Sequence, residues 1–400
     1  MLGLSMRMLF FLSGLVWMLT AVSGGAQEGL VRFAMESGGF PGAVSVSGPL
    51  VWTGQVYPDS AAGGDVSGQV DSCVARLGAL LASRGSSLSA VVRLHVAVRT
   101  TEVFEAVQRR LVQAFPQGDL PAVSAVVSGL PGAVLLGLDA VALCEPGEER
   151  GVLVRENLAV LPEGVRIFIA GQAESSGDLA EATEKTLQSL QATLEWLGRT
   201  NADIVQLKAF VQPMSAESAA IVRSVAAEFY GESVPPLVLV EWRSSATVPI
   251  EIELVAWGGP APAGAQVAEY LTPPFMKSSP VYARVVRTAS RSLVFTSGMG
   301  ADPPADGGVG ESEAASAEVT GAFSQLEDLM RVSGSDLRHL VKATYYVSGE
   351  AASLGLNQQR PRYYDPARPP AASKALVIGV SAGKRTLSMD MIAVPVPKVP

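Results

Sequence analysis

Histidine and cysteine are almost missing from this 400-residue chain, with two of each: His95, His339, Cys73 and Cys144. No Cys, Asp or second His accompanies His95 at ligand spacing, and His339 reads as part of an exposed turn, so no metal is expected. Two cysteines cannot build a disulfide framework, and the positions of Cys73 and Cys144 favour two buried thiols over one bridge. Charge is also scarce, at 17%, and it leans acidic, with 30 Lys plus Arg against 38 Asp plus Glu. Without a basic stripe to neutralise phosphates, nucleic acid is excluded as a partner. A third glycine is missing after Gly298-Met299-Gly300, which therefore reads as a turn, and no cofactor is expected.

What the chain has in quantity is small and apolar residues: 40 glycines, 26 prolines and 48% hydrophobic residues. That composition belongs to a compact globular protein, and the length suits two or three domains. Residues 1–26 are expected to be a signal peptide, because Arg7 precedes an apolar run from Met8 to Leu19 that small residues close at Ala21, Ser23, Gly24, Gly25 and Ala26. A periplasmic or secreted location follows from that reading.

A hydrophobic strand ending in a small-residue turn occurs three times: Leu50 to Gln55 (LVWTGQ), Val165 to Gln172 (VRIFIAGQ) and Leu293 to Gly300 (LVFTSGMG). After each comes an amphipathic helix, a glycine and a Val-rich strand. In the first copy Val70, Val74, Leu77 and Leu81 form the helix stripe and Gly85 ends it. The second copy has Leu187, Leu190, Leu194 and Leu197 before Gly198, and the third has Val319, Phe323, Leu326 and Met330 before Gly334. The next strand of copy 1 places Val92, Leu94, Val96 and Val98 opposite Arg93, His95 and Ala97, which predicts a half-buried strand. His95 aligns with Lys208 and Thr344 and is expected to face a central axis. The predicted repeats span 30–144, 151–257 and 281–394, with a Pro/Gly-rich linker over 258–280. The segment Ala301 to Ser316 reads as an insertion and Pro395 to Pro400 as an extended tail.

Each copy is read as α+β: a mixed sheet with two helices on one face. The opposite face would be exposed and apolar in a lone unit. Three such faces packed around a pseudo-threefold axis bury one another, so the chain is expected to be a monomer that imitates a cyclic trimer.

The ordered set Tyr282, LVFTSGMG, Gly334-Ser335-Asp336-Leu337, Leu340 to Thr344 and Pro370-Ala371-Ala372-Ser373 resembles the RidA/YjgF enamine/imine deaminase family. Copy 1 resembles it through Trp52-Thr53-Gly54-Gln55 and Pro121 to Ser124, and copy 2 through Ala170-Gly171-Gln172 and Ile250 to Ala256. The resemblance implies chorismate-mutase-like domains with a small-molecule site in each cleft between units. It implies an arginine that anchors a substrate carboxylate and a glutamate that helps position the attacking water.

Here the arginine position holds Val123, Leu237 and Ala372. The glutamate position holds Gly137, Glu251 and Ser388. The family's helix asparagine is matched by Gln108, Arg223 and Asn357, and its early tyrosine by Tyr282 alone. Glu251 is therefore the candidate catalytic residue, and Lys374, Tyr282, Asn357 and Gly298 are the candidate ligand-binding residues. Lys374 stands two past Ala372 on the same strand face and can supply the missing positive charge. With all three anchors apolar, the sequence favours a degenerate small-molecule-binding or scaffold protein. The alternative is a deaminase working in one surviving cleft.

Overall fold

The computed structural model describes residues 21–22, 28–35, 39–116, 118–148, 150–244, 247–304, 310–381 and 383–397. Of the expected signal peptide only the two-residue strand Ala21–Val22 is described; residues 305–309 of the expected insertion and 398–400 of the tail lie outside the described residues. The C-terminal part of that insertion is helical, since the helix Glu311–Val332 begins inside it.

Among the described residues six α-helices form three side-by-side pairs, the two helices of each pair running parallel because both cross over between parallel strands: Val66–Ala82 with Phe104–Ala114, Leu179–Trp196 with Ala216–Tyr230, and Glu311–Val332 with Glu350–Tyr363. Local chemistry sets their ends. Asp65 and Asp178 cap their helices by accepting from the Gly68 and Glu181 N–H groups. The first helix of each unit is followed by a glycine at positive φ, Gly85 at 61°, Gly198 at 68° and Gly334 at 76°. Only glycine enters that region without a Cβ penalty, so the stop is written identically three times.

Behind each pair lies a mixed sheet of the same design. In unit 1 the strands Leu50–Thr53, Val91–Val98, Ala122–Val127 and Leu136–Leu143 form one sheet. Unit 2 uses Arg166–Gln172, Ile204–Val211, Leu237–Glu241 and Ile250–Trp257, and unit 3 uses Ser292–Thr296, Leu340–Val347, Ala371–Leu376 and Leu387–Ala393. Two further strands of every sheet come from elsewhere in the chain, and Ala21–Val22 adds a seventh strand at the edge of the unit 3 sheet. Leu153–Arg155 and Leu158–Leu161 complete the sheet of unit 1, Ala268–Leu271 and Val285–Thr288 that of unit 2, and Leu30–Phe33 and Ala43–Ser47 that of unit 3. The chain thus passes each hairpin to the preceding sheet, and the N-terminal hairpin closes the ring by pairing with Ser292–Thr296. The segment 258–280, read as a linker, contributes the edge strand Ala268–Leu271 to this exchange.

Three cores lie between helices and sheets, one per unit, and two more are shared around the axis. One shared core gathers Trp52, Phe168, Phe295, Val92, Val205 and Val341; the other gathers Phe210, Val126, Val240 and Tyr346. The strand Val91–Val98, predicted half-buried, is buried at every position because neighbouring units cover its second face. Its alternation is also broken. A register shift between Val91 and Arg93 turns both Val92 and Arg93 away from the helices, and the same shift recurs at Ile204/Gln206 and Leu340/Lys342.

Candidate functional site

Strand register places the sequence-matched positions. Val123 stands opposite Leu94, Leu237 opposite Leu207 and Ala372 opposite Ala343; Gly137, Glu251 and Ser388 stand opposite Ala97, Phe210 and Tyr346. Each of the three clefts combines the glycine turn of one unit with the parallel edge strand and second helix of the next. Gln55 N–H donates to the Leu237 carbonyl at 3.2 Å between units 1 and 2, Gly171 N–H to Ser373 Oγ at 3.1 Å between units 2 and 3, and Gly298 N–H to the Val123 carbonyl at 2.9 Å between units 3 and 1.

The cleft between units 2 and 3 collects the residues singled out from different repeats. Glu251 comes from unit 2. The Ser373 hydroxyl, itself held by Gly171 N–H, hydrogen bonds its carboxylate. Burial, reinforced by repulsion from Glu253, pushes the Glu251 carboxyl up to about 7, against the attraction of Lys342 and Arg284 and the hydrogen bond from Ser373. Lys374 enters from unit 3, donating to Ser353 Oγ at 2.8 Å and Asn357 Oδ1 at 3.2 Å. Desolvation and Arg360 lower its pKa while Glu251 opposes the shift. Tyr282 and Arg284 arrive on the segment that leads into Val285–Thr288. The Ala170 N–H donates to the Arg284 carbonyl and Ala283 pairs with Ala371, which wedges this segment between the two units. The Arg284 guanidinium lies 4.9 Å from the Tyr282 ring centroid.

Glu251, Lys374, Asn357 and Tyr282 therefore converge on one cleft, and Gly298 belongs to another. Gly298 lies between units 3 and 1, beside Val123 and Ser388, in a cavity of about 190 Å³. A Cβ on Gly298 would come within 2.6 Å of Ser388 Oγ, so the glycine serves close packing there. Arg284 and Ser353 were missed from sequence, and Ser373 was read only as part of the Pro370 to Ser373 match. Arg284 had a usable signal, since it stands two residues past Tyr282 on an extended segment and can share its side. Ser353 had none within a single repeat.

Between the two shared cores the axis is charged. Arg93, Lys208 and Lys342 supply three buried cations; Asp139, Glu253 and Asp390 supply three buried acids. Pairs cross between units, Arg93 with Asp390 at 3.6 Å and Lys342 with Glu253, while the Tyr346 hydroxyl bridges His95 Nε2 at 3.0 Å and Lys208 Nζ at 3.4 Å. His95 Nδ1 meets Asp139 Oδ2 at 2.9 Å, confirming that His95 faces the axis. Burial and the Lys208 charge hold His95 below its usual pKa. Burial alone would raise Asp139 and Asp390, but His95, Arg93 and Lys208 outweigh it and leave both low. Cys73 and Cys144 are buried in unit 1, and burial raises the Cys73 thiol to about 12. Among the described residues no helix is long and apolar enough to cross a membrane.

No family model matches the chain. A RutC family protein of Pyrococcus horikoshii is 33% identical over 100 residues, spanning 23% of this chain and 78% of that protein. One from Pyrococcus abyssi is 31% identical over 100 residues, 23% of this chain and 77% of that protein. Among solved structures, a Rid family protein of unknown function from Yersinia pestis covers 32% of this chain and 99% of its own, at 19% identity and TM-score 0.28. A YjgF family member from Neisseria meningitidis covers 32% and 96%, at 19% identity and TM-score 0.23.

Proposed function

The chain belongs to the RutC/RidA (YjgF) family, and on that premise we propose that it hydrolyses imines or enamines in one cleft, between units 2 and 3. The observation that carries this reading is the convergence there of Glu251, Tyr282 and Asn357. These are the only positions at which the three repeats keep the family's acid, tyrosine and asparagine; the acid comes from repeat 2 and the other two from repeat 3.

The chemistry follows from the groups present. A carboxyl with a pKa near 7 exists in both forms at neutral pH. The protonated form donates to the imine nitrogen, and water adds to the carbon while the resulting carboxylate accepts a water proton. Proton return to nitrogen expels ammonia as the carbonyl forms, so an imine and one water give a carbonyl compound and ammonia. Lys374 and Arg284 give the cleft positive charge without the family's strand arginine, which suits an anionic substrate anchored more loosely than by a bidentate pair.

The apolar Val123 and Leu237 and the acid-free Gly137 and Ser388 favour binding or scaffold roles for the other two clefts. Export to the periplasm or medium, read from Arg7 and the apolar run 8–19, is part of the same proposal and is checked by locating the mature N-terminus in fractionated cells. The activity is tested by following ammonia release from a 2-imino acid made in situ by an amino-acid oxidase. Wild type accelerates it over buffer and Glu251→Gln abolishes the acceleration.

A further inference from the structure

The junctions between units repeat one design with different side chains, and the differences isolate a task for Ser373. The positions after Val123, Leu237 and Ala372 hold Ser124, Val238 and Ser373. Between units 3 and 1, the Ser124 hydroxyl donates to Asp390 Oδ2 at 2.9 Å, and the same carboxylate pairs with Arg93. Between units 2 and 3 the equivalent acid is Glu253 and the equivalent cation is Lys342, again paired. Pseudo-threefold symmetry would send the Ser373 hydroxyl to Glu253. It bonds Glu251 instead.

Three local features account for the exchange. Ser388 occupies the place of Glu251 beside Ser124, so Ser124 has one acid within reach where Ser373 has two. Glu251 and Glu253 are two apart on one strand and share a face, and Lys342 already satisfies Glu253. Gly171 N–H donates to Ser373 Oγ at 3.1 Å, which occupies a lone pair of the hydroxyl and leaves its proton for the carboxylate. A Cβ on Gly171 would stand 2.0 Å from Glu251 Oε1, so the carboxyl lies hard against that glycine turn. Glu253 on its own strand, Lys342 on Leu340–Val347, Arg284 on the wedged segment and Lys374 on the edge strand act on Glu251 as charges. Ser373 adds direction, because a hydrogen bond fixes where the acceptor oxygen sits.

We propose that Ser373 is a positioning residue for the hydrolysis in this cleft, holding one oxygen of the Glu251 carboxyl against the turn of unit 2 and leaving the other to the substrate, and that the Lys342–Glu253 pair frees Ser373 for this task. The inference rests on the hydrolytic reading for its chemistry. A donated hydroxyl proton favours the ionised carboxylate, so Ser373 opposes the effect of burial and keeps both forms of Glu251 available near neutral pH.

The test follows the Glu251 carboxyl by carbon NMR in the full chain labelled at glutamate side-chain carboxyls, its resonance identified as the one lost in Glu251→Gln. Ser373→Ala is expected to move the titration upward by about half a pH unit or more. Ser373→Cys, which keeps the shape and weakens the donor, moves it the same way, and Ser373→Thr restores the wild-type value. Ser124→Ala, the same loss in the junction without the acid, leaves it in place. The proposal is overturned if Ser373→Ala and Ser373→Cys titrate as wild type, if Ser373→Thr shifts as far as Ser373→Ala, or if Ser124→Ala produces the same shift. The titration needs no substrate. Protein that shows these shifts and releases no ammonia would sink the hydrolytic reading alone, and active protein whose titration ignores Ser373 would sink this inference alone.

Discussion

Lys342 of unit 3 and Glu253 of unit 2 form an ion pair inside the molecule, with side chains only 5% and 7% exposed. Such a pair contributes little net stability over a well-packed apolar pair, yet breaking it strands a charge in a dry interior. Lys342→Met is therefore expected to lower the unfolding free energy by about 3–5 kcal/mol, and adding Glu253→Leu to restore most of it. Urea denaturation of the two single variants and the double variant measures this. Additive losses would show that the two residues are not coupled.

His95 makes folding sensitive to mild acid. Its pKa is lowered in the folded state, so the unfolded chain takes up a proton near pH 6.5 that the folded chain refuses. Stability is then complete above the unfolded value and declines as pH falls below it. His95→Gln should flatten the unfolding free energy between pH 7.5 and 5.5 relative to wild type. An unchanged slope would contradict a neutral, buried His95.

Glu251 acts with the opposite sign. Its folded pKa, about 7, lies above the unfolded carboxyl value, so stability is greatest below the unfolded value and falls as pH rises toward 7. Glu251→Gln is expected to equal wild type at pH 4 and exceed it by about 2 kcal/mol at pH 8, at ~1.4 kcal/mol per unit and with a reduction for partial exposure. Paired denaturation curves at the two pH values decide this, and a gap at pH 4 instead would reverse the assignment.

Ring closure is directly accessible through Ser47 and Ser292, which pair across the joint between the N-terminal hairpin and unit 3 with hydroxyl oxygens 2.6 Å apart. Ser47→Cys with Ser292→Cys should form a disulfide on mild oxidation, seen as faster migration on a non-reducing gel. If the hairpin returned to strand Leu50–Thr53 of its own unit, no such species would form.

Much of this architecture was legible along the chain. Gly85, Gly198 and Gly334 stop equivalent helices, and the stripes from Val70 to Leu81, Leu187 to Leu194 and Val319 to Met330 are buried where periodicity placed them. The exchange of hairpins was not legible, because the link Gly48-Pro49 suits a turn back or a step onward equally well. Burial of Arg93 and Lys342 was hidden for a related reason, since the charges that accept them, Asp390 and Glu253, belong to other units. Within the site, single-repeat matching found Glu251, Asn357 and Tyr282. Only the fold shows that they share a cleft with Lys374, Arg284 and Ser373.

The central claim is that one cleft carries acid–base chemistry, and the pH dependence of ammonia release from a 2-imino acid tests it most directly. Wild type is expected to show a rate profile with an apparent pKa near 7, set by Glu251. Glu251→Gln should lose that titration along with about 100-fold or more of kcat, and Lys374→Met should act mainly on KM. Wild-type protein that releases ammonia no faster than buffer, or a Glu251→Gln variant that keeps both rate and profile, would contradict the account.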